Sequence, residues 1–295
     1  MRELLQHMPT EGDATAVEGA SASAGTCEAR LVELARRDGW KRAAHDFLRA
    51  HDLLEYRLAV DEYRGNWRIL LPITRRSRLL ELNCDHGAAS LVLAEGAGLT
   101  VALDDRWERV AFAALRGQQE HVPNLSAICA SPTASLPFRD ASFDVVAYSG
   151  ALARNSAARL LAEVARVLAP GGHVYLATRN RIGLGGGRDR PAPRGLTMGG
   201  LRGLLKAAGF SQVAMYAPLP SHELAFFFVP LDDPPVFAYY LRRLFEVYDF
   251  GADLRRQGLG WLHLAARHGS RAARRLRLAG LARHLVPSIA AVARK

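Results

Sequence analysis

The sequence predicts an α/β protein: a doubly wound, mostly parallel sheet of the Rossmann-like kind, with a helical N-terminal extension and a basic helical C-terminal extension. Three observations predict it. Residues 78–180 alternate short apolar runs with amphipathic segments: "RLLELNC" then "AASLVLAEGA", "TVALD" then "RWERVAFAALRGQQE", "SAIC", "FDVVAYS" then "AARLLAEVARVLA", and "HVYLAT". The apolar runs carry no polar alternation, as expected of strands buried on both faces, and each parallel connection needs a crossover. Finally, "LLELNCDHGAAS" (79–90) is laid out as a strand, a tight turn and a helix start, the plan of a nucleotide-type cofactor site.

The elements follow in order. Residues 1–26, ending in "TAVEGASASAGT", are small and polar without apolar periodicity and read as a flexible arm. Over 27–74, Leu31, Leu34, Trp40, Ala44, Phe47 and Leu48 recur at three- and four-residue spacings, which predicts helices. Residues 75–230 hold the sheet domain. Within it lie a glycine-rich loop at 181–195, a helix at 201–209 closed by Gly209, and the strands "SQVAMYAPLP" and "ELAFFFVP". Residues 231–295 read as a helical, arginine-rich extension packing on the domain, opened by the helix "PVFAYYLRRLFEVY"; "IAAVA" near its end fits one last strand.

Composition narrows the function classes. A chain of 295 residues, 49% apolar and 23% charged, is large enough for one α/β domain with additions or for two modest domains. The most apolar stretch, "LAFFFVPL", is too short to span a bilayer, and the start lacks a secretory signal, so a cytoplasmic location is expected. Cys27, Cys84 and Cys129 have no metal-ligand spacing; reduced thiols and no metal site are expected. Of the net charge of +10, residues 251–295 carry nine arginines and Lys295 against Asp253 alone. No aromatic residues are interleaved for base stacking, so nucleic acid is disfavoured as a partner; contact with an anionic surface through the basic tail stays open.

A ligand of such a fold lies beyond the carboxyl ends of the strands, where strand order reverses. Gly87 stands where the backbone turns into the helix, whose free N–H groups suit an electron-rich group. Asp104 ends "TVALD", about 20 residues after that turn, well placed to accept from ribose hydroxyls. Asp105 competes for that role, and a helix cap is the plainer reading of either acid. Glu81 lies inside an apolar strand and needs a donor partner, which favours a cofactor-linked role.

"LLELNCDHGAAS", "VALD", "LPFRDASFDVVAYS" and "EVARVLAPGGHVYLATRNRIG", in this order and spacing, resemble the successive motifs of class I S-adenosylmethionine-dependent methyltransferases. "NRIG", "LLKAAGF" and "YAPLPSHEL" further resemble a bacterial branch associated with cell-surface glycan or secondary-metabolite genes. The resemblance implies S-adenosyl-L-methionine as cofactor. The backbone around Asn83, Cys84 and Gly87 would hold its methionine part, with Glu81 on the ammonium. Asp104 would bind the ribose, Arg106 or Trp107 would flank the adenine, and the stretch from Ser131 through Pro132 and Thr133 would meet the adenine edge. Tyr148 and Ser149 would face the transferring methyl. Asp144 would fix the start of its strand, and Gly171 with Gly172 the turn before the next.

This chain departs from the family's E-x-G-x-G-x-G at Asn83 and Asp85. Both residue types tolerate left-handed φ, so the turn stays feasible, although Asp85 puts a negative charge near the cofactor's own carboxylate. Pro132 stands where the family commonly has an acid on the adenine amino group. Candidate general bases are His86, His222, Tyr148 and Tyr216, with His222 in "LPSHEL" favoured. His86 as a helix cap and Tyr216 as a packed strand residue are the plainer readings. In the 181–195 loop, Arg181, Arg188, Arg190 and Arg194 suit an anionic acceptor.

The reading favoured is a methyltransferase acting on a small-molecule, glycan or secondary-metabolite acceptor. An inactive methyltransferase-fold scaffold and an RNA methyltransferase are the alternatives. A dehydrogenase is disfavoured because "LNCDHG" lacks the G-x-G-x-x-G spacing.

Overall fold

In a computed structural model of the chain, the residues described are 22–132, 134–150, 152–183, 195–247 and 279–295. Five parallel strands form one side of a single sheet: β1 (Arg78–Leu82), β2 (Leu99–Asp104), β3 (Leu125–Cys129), β4 (Phe143–Ser149) and β5 (Leu168–Arg179). Three antiparallel strands complete it: β6 (Ser211–Pro220), β7 (Ala225–Pro230) and β8 (Ser288–Arg294). The order is β3-β2-β1-β4-β5-β8-β6-β7, so the chain reverses its direction of travel at β1, the point at which doubly wound sheets bind their ligands.

Successive residues of each strand face opposite layers. Leu80, Leu82, Val146 and Leu176 pack with Leu160, Leu161 and Val164 of helix α7 (Arg154–Val167) and with Leu201 and Leu205 of α8 (Met198–Ala207). Phe237 of α9 (Pro234–Val247) joins the same layer. On the opposite face Leu79, Val145, Ala147 and Ala177 meet Ala89 and Leu93 of α5 (Ala88–Gly96). α8 ends as the sequence predicts: Gly209 takes φ 86°, and the Gly209 and Phe210 N–H groups close on Lys206 and Leu205 carbonyls, a Schellman stop.

The N-terminal helices cover the α5 face. α1 (Ala22–Asp38) leads to α2 (Trp40–Ala43), a π-helical turn (Ala44–Leu48), α3 (Arg49–His51) and α4 (Leu53–Val60), then a 3-10 segment (Glu62–Leu70). Asp52 and Asp61 start the last two by accepting backbone N–H groups, as side-chain caps do. Two contacts seat this layer. The Arg116 guanidinium of α6 (Trp107–Gln119) lies 3.9 Å over the Trp40 ring while donating to the Ala59 carbonyl. Trp67 of the 3-10 segment stacks on Tyr175 of β5 at 4.8 Å and 9°, pinning that segment across the middle of the sheet.

Two expectations are corrected. α1 begins at Ala22, inside the stretch read as a flexible arm; alanine and serine permit helix when a later apolar face pays the ordering cost, and residues 1–21 lie outside the described residues. The last strand expected at "IAAVA" forms as Ser288–Arg294, but it inserts as β8 between β5 and β6, so the chain after 230 contributes to the sheet rather than only packing on it. A domain boundary at 230 therefore cuts through the sheet. The buried Asn180 side chain secures the approach to β8 by donating to the carbonyls of His284 and Val286. Most of the arginine-rich tail (248–278) and loop residues 184–194, with Arg188, Arg190 and Arg194, lie outside the described residues. Among the described residues no helix is long and apolar enough to cross a membrane.

Trp67→Ala should cost about 3–5 kcal/mol in urea denaturation, as for other buried aromatic truncations. Trp107→Ala, at a residue 64% exposed, should stay within about 0.5 kcal/mol of the parent.

Candidate functional site

The turn after β1 holds its shape through backbone angles that L-residues seldom adopt. Asn83 has φ 63° and Asp85 φ 49°, the left-handed region in which Asn and Asp are the best tolerated side chains after glycine. Gly87 has φ 77°, and a Cβ there would come within 2.7 Å of Ala113 Cβ on α6. Glycine is thus required at 87 by both the turn and the helix packing.

Each of the two unusual side chains has a partner. Asn83 Nδ2 donates to the Ser149 carbonyl at 3.1 Å, tying the turn to the end of β4. The Asp85 carboxylate lies between two guanidinium groups: Arg64 Nη2 at 2.6 Å, and Arg109 Nη1. Behind them, Arg64 also donates to the Leu58 carbonyl, and Arg109 with Arg106 pairs with Glu28 of α1. Burial would raise the Asp85 pKa, but Arg64 and Arg109 hold it below the usual carboxylate value. Asp85 is therefore charged at neutral pH, and its charge is already matched.

Two further carboxylates lie under this turn. Glu81 is flanked by Ala102 and Ala147 on the neighbouring strands and accepts a short hydrogen bond from Ser90 of α5. Burial pushes its pKa up to about 7, with the Ser90 bond opposing. Asp104, at the end of β2, is 1% exposed; its Oδ2 accepts from the Asp85 N–H at 3.0 Å and its Oδ1 from the Arg106 N–H at 3.1 Å. Burial, then the Asp85 charge, raises its pKa to about 6. Each oxygen retains a second lone pair for a hydroxyl donor. Asp105 is exposed. The Ala130 N–H donates to the Asp104 carbonyl, bringing Ser131 and the buried Pro132 beside it, while Thr133 lies outside the described residues. Cys84 is buried, and burial pushes its thiol pKa well up.

A chain of hydrogen bonds continues across the strand ends. Ser149 Oγ donates to the His222 carbonyl at 2.8 Å, and His222 Nδ1 lies 3.0 Å from Ser288 Oγ at the start of β8. Burial, with Arg179 and Arg64 adding to it, lowers the His222 pKa to about 4, so the imidazole is neutral at pH 7. Tyr148 is pushed up to about 12, by burial first, and remains a phenol. Farther along the same edge, a pocket of about 350 Å³ is lined by Arg154, Arg181, Leu196, Thr197 and Gly200.

This is a turn, a buried acid in the first strand and a second acid ending the next strand, set at the reversal of strand order. Residues 80–176 match the model of a methyltransferase domain family. Over these residues the chain is similar to that domain family. The resemblance to S-adenosylmethionine-dependent methyltransferases read from the sequence motifs is borne out. Two proteins named "Probable S-adenosylmethionine-dependent methyltransferase", from strains of Mycobacterium tuberculosis, are each 34% identical over 151 residues, 50% of this chain and 53% of the relative. A third, from Mycolicibacterium smegmatis, is 33% identical over 137 residues, 45% of this chain and 51% of the relative. The chain spans about half the length of the curated relatives it matches. In fold it resembles phosphoethanolamine N-methyltransferase 2 of Haemonchus contortus, solved with phosphomonomethylethanolamine and S-adenosylhomocysteine; the TM-score is 0.51 at 15% identity, covering 85% of this chain and 60% of that one.

The side chains present suit S-adenosylmethionine at the turn and at the two buried acids, and fall short of it at Pro132. Glu81 is a buried acid with one hydrogen-bond donor, Ser90, and Asp104, with one N–H on each oxygen, keeps lone pairs that hydroxyl donors could use. The left-handed turn survives without its glycines, and Asp85, the feared intruder, spends its charge on Arg64 and Arg109. Pro132 offers the adenine no carboxylate, a loss of one hydrogen bond worth about 0.5–1.5 kcal/mol.

Not every expected residue comes to the site. His86 is 2% exposed, packs edge-on against Phe112, and has neither ring nitrogen hydrogen-bonded; burial lowers its pKa to about 3. It has no path to an acceptor, and it caps no helix. Trp107 is exposed at the start of α6, Arg106 pairs with Glu28, and Tyr216 packs against the α5-side core. Sequence reasoning missed Arg64, Arg109, Glu28 and Ser90. The available signal was Asp85 itself, since an acid placed in a buried turn requires a cation from elsewhere in the chain.

His86→Leu should leave stability at pH 7 unchanged or raised by up to about 2 kcal/mol, because it removes unpaired buried polar atoms. A histidine whose pKa is depressed on folding contributes stability above its unfolded pKa near 6.5 and loses it as pH falls toward 3. Thermal melts from pH 7 to 4 should accordingly fall less steeply in the variant than in the parent.

Proposed function

We propose that the chain is an S-adenosylmethionine-dependent methyltransferase that passes a methyl group, by direct in-line displacement, to a small-molecule, glycan or secondary-metabolite acceptor. The reading is carried by Glu81 and Asp104, two buried acids whose pKa values are raised to about 7 and 6 at the ends of adjacent strands beneath a left-handed turn. Acids so placed wait for a ligand that brings its own donors.

When bound, the cofactor supplies a methyl group on a sulfonium centre, whose neutral thioether leaves without acid assistance. The chain's residues do the positioning. Glu81 holds an ammonium group, the amino end of α5 behind Gly87 receives a carboxylate, and Asp104 accepts from ribose hydroxyls. Ser131 and Pro132 border the adenine. Tyr148 and Ser149 line the methyl path and exclude water. If the acceptor atom is oxygen or nitrogen, His222 takes its proton in the tautomer whose Nδ1–H donates to Ser288 Oγ, 3.0 Å away, because that tautomer leaves Nε2 unprotonated. A base with a pKa near 4 is weak but fully available, which suits proton removal late in the transfer. The pocket bordered by Arg154 and Arg181 gives an anionic acceptor group a place to dock on the same strand-end edge.

Calorimetry with S-adenosylmethionine tests the reading; no heat of binding at millimolar cofactor in a folded sample would sink it. Because an ammonium group binds the ionised form of Glu81, affinity should rise with pH and level off above about 7. Below that it should fall by up to about tenfold per pH unit. Glu81→Gln should bind weakly at all pH values and flatten that profile. His222→Ala should lower kcat by about 10²–10⁴-fold with cofactor Kd unchanged; an unchanged kcat would remove His222 from the mechanism.

A further inference from the structure

We propose that Arg64 is a positioning residue of the cofactor turn: through Asp85 it makes the shape of that turn depend on docking of the N-terminal helices. The inference rests on the S-adenosylmethionine reading above. Asp85 sits at φ 49°, a conformation glycine adopts freely and aspartate tolerates at some cost, here with its carboxylate buried. What holds it are two arginines from different layers. Arg64 comes from the 3-10 segment, is 9% exposed, and donates at once to Asp85 and to the Leu58 carbonyl. Arg109 comes from α6 and is braced from behind by Glu28 of α1. The N–H of the same aspartate donates to Asp104 Oδ2. One residue thus joins the N-terminal layer, the turn and the carboxylate assigned to the ribose.

The consequence is a division of roles between side chain and backbone. The Asp85 side chain faces the arginines, and its backbone serves the cofactor site. A turn with glycine at 85 would need no such brace. With aspartate, removing Arg64 leaves a buried charge half-paired, and the turn can relieve it only by swinging the carboxylate toward solvent, which displaces the N–H from Asp104. The affinity for cofactor then drops in proportion to the fraction of molecules whose turn keeps its shape.

The test is a rescue measured by calorimetry with S-adenosylhomocysteine at pH 8. Arg64→Met should raise Kd at least about tenfold. Adding Asp85→Gly to the same chain should bring Kd back to within about threefold of the parent, because glycine holds the turn unaided and leaves no charge to pair. A merely structural Arg64 predicts the opposite, since the second substitution would repair nothing. The inference is overturned if Arg64→Met binds like the parent, or if the double variant binds as weakly as Arg64→Met. Should Arg64→Met not fold, Arg64→Lys makes the same point, because a lysine cannot hold Asp85 and the Leu58 carbonyl in one planar fork. Its Kd should rise at least about threefold, and an unchanged Kd overturns the inference. A parent chain that binds no S-adenosylhomocysteine overturns the cofactor reading itself, whereas a parent that binds and an indifferent Arg64 overturn the brace alone.

Discussion

The ion pairs that Asp85 makes with Arg64 and Arg109 are what the rest of the site depends on. An unpaired carboxylate in that position would face a desolvation cost of several kcal/mol, and the turn would have to open to relieve it. Paired, it becomes the point where three layers meet: the N-terminal helices, α6 and the sheet. The packing of Trp40 on Arg116 and of Trp67 on Tyr175 serves this meeting, since both contacts set the helical layer at the height from which Arg64 reaches the turn.

Electrostatic balance follows from the same pairing. Three acids, Glu81, Asp85 and Asp104, lie close together at the strand ends, and water reaches none of them freely. The arginines spend themselves on Asp85, so it alone is driven below the ordinary carboxylate range, while Glu81 and Asp104 are left with raised pKa values. Neighbouring carboxylates with opposed shifts divide the work: one fastens the protein to itself, and the proposed function gives the other two to the ligand. Position in the motif would not have told them apart.

Much of the sheet was legible because its strands are buried on both faces, and only apolar runs satisfy that condition. Glu81 stood out for the same reason, as an acid in a run that should hold none, and Asp104 by closing the second strand about 20 residues after the turn. The tolerance of Asn83 and Asp85 for left-handed φ was also legible, being a property of the residue types themselves. What the chain hid was pairing at a distance. Arg64 lies 21 positions from its carboxylate, on a 3-10 segment whose pattern said only that it was helical. His86 shows the limit of adjacency: it neighbours the site in the chain, yet its ring turns to Phe112. The 248–278 tail, source of half of the net charge, stays outside what the structure describes.

β8 has a consequence for how the molecule comes to be folded. It sits between β5 and β6, yet it follows β7 in the chain by more than fifty residues. Until it is synthesised, β5 and the β6–β7 hairpin are two unpaired edges facing a gap one strand wide, each bearing open backbone hydrogen-bonding groups. Those edges are exposed to the wrong partner for as long as the intervening chain takes to emerge, and in that interval the nascent molecule is at its most prone to aggregate. The small side chains of "IAAVA" suit a late arrival, because alanines can enter a slot whose two walls have already begun to pack.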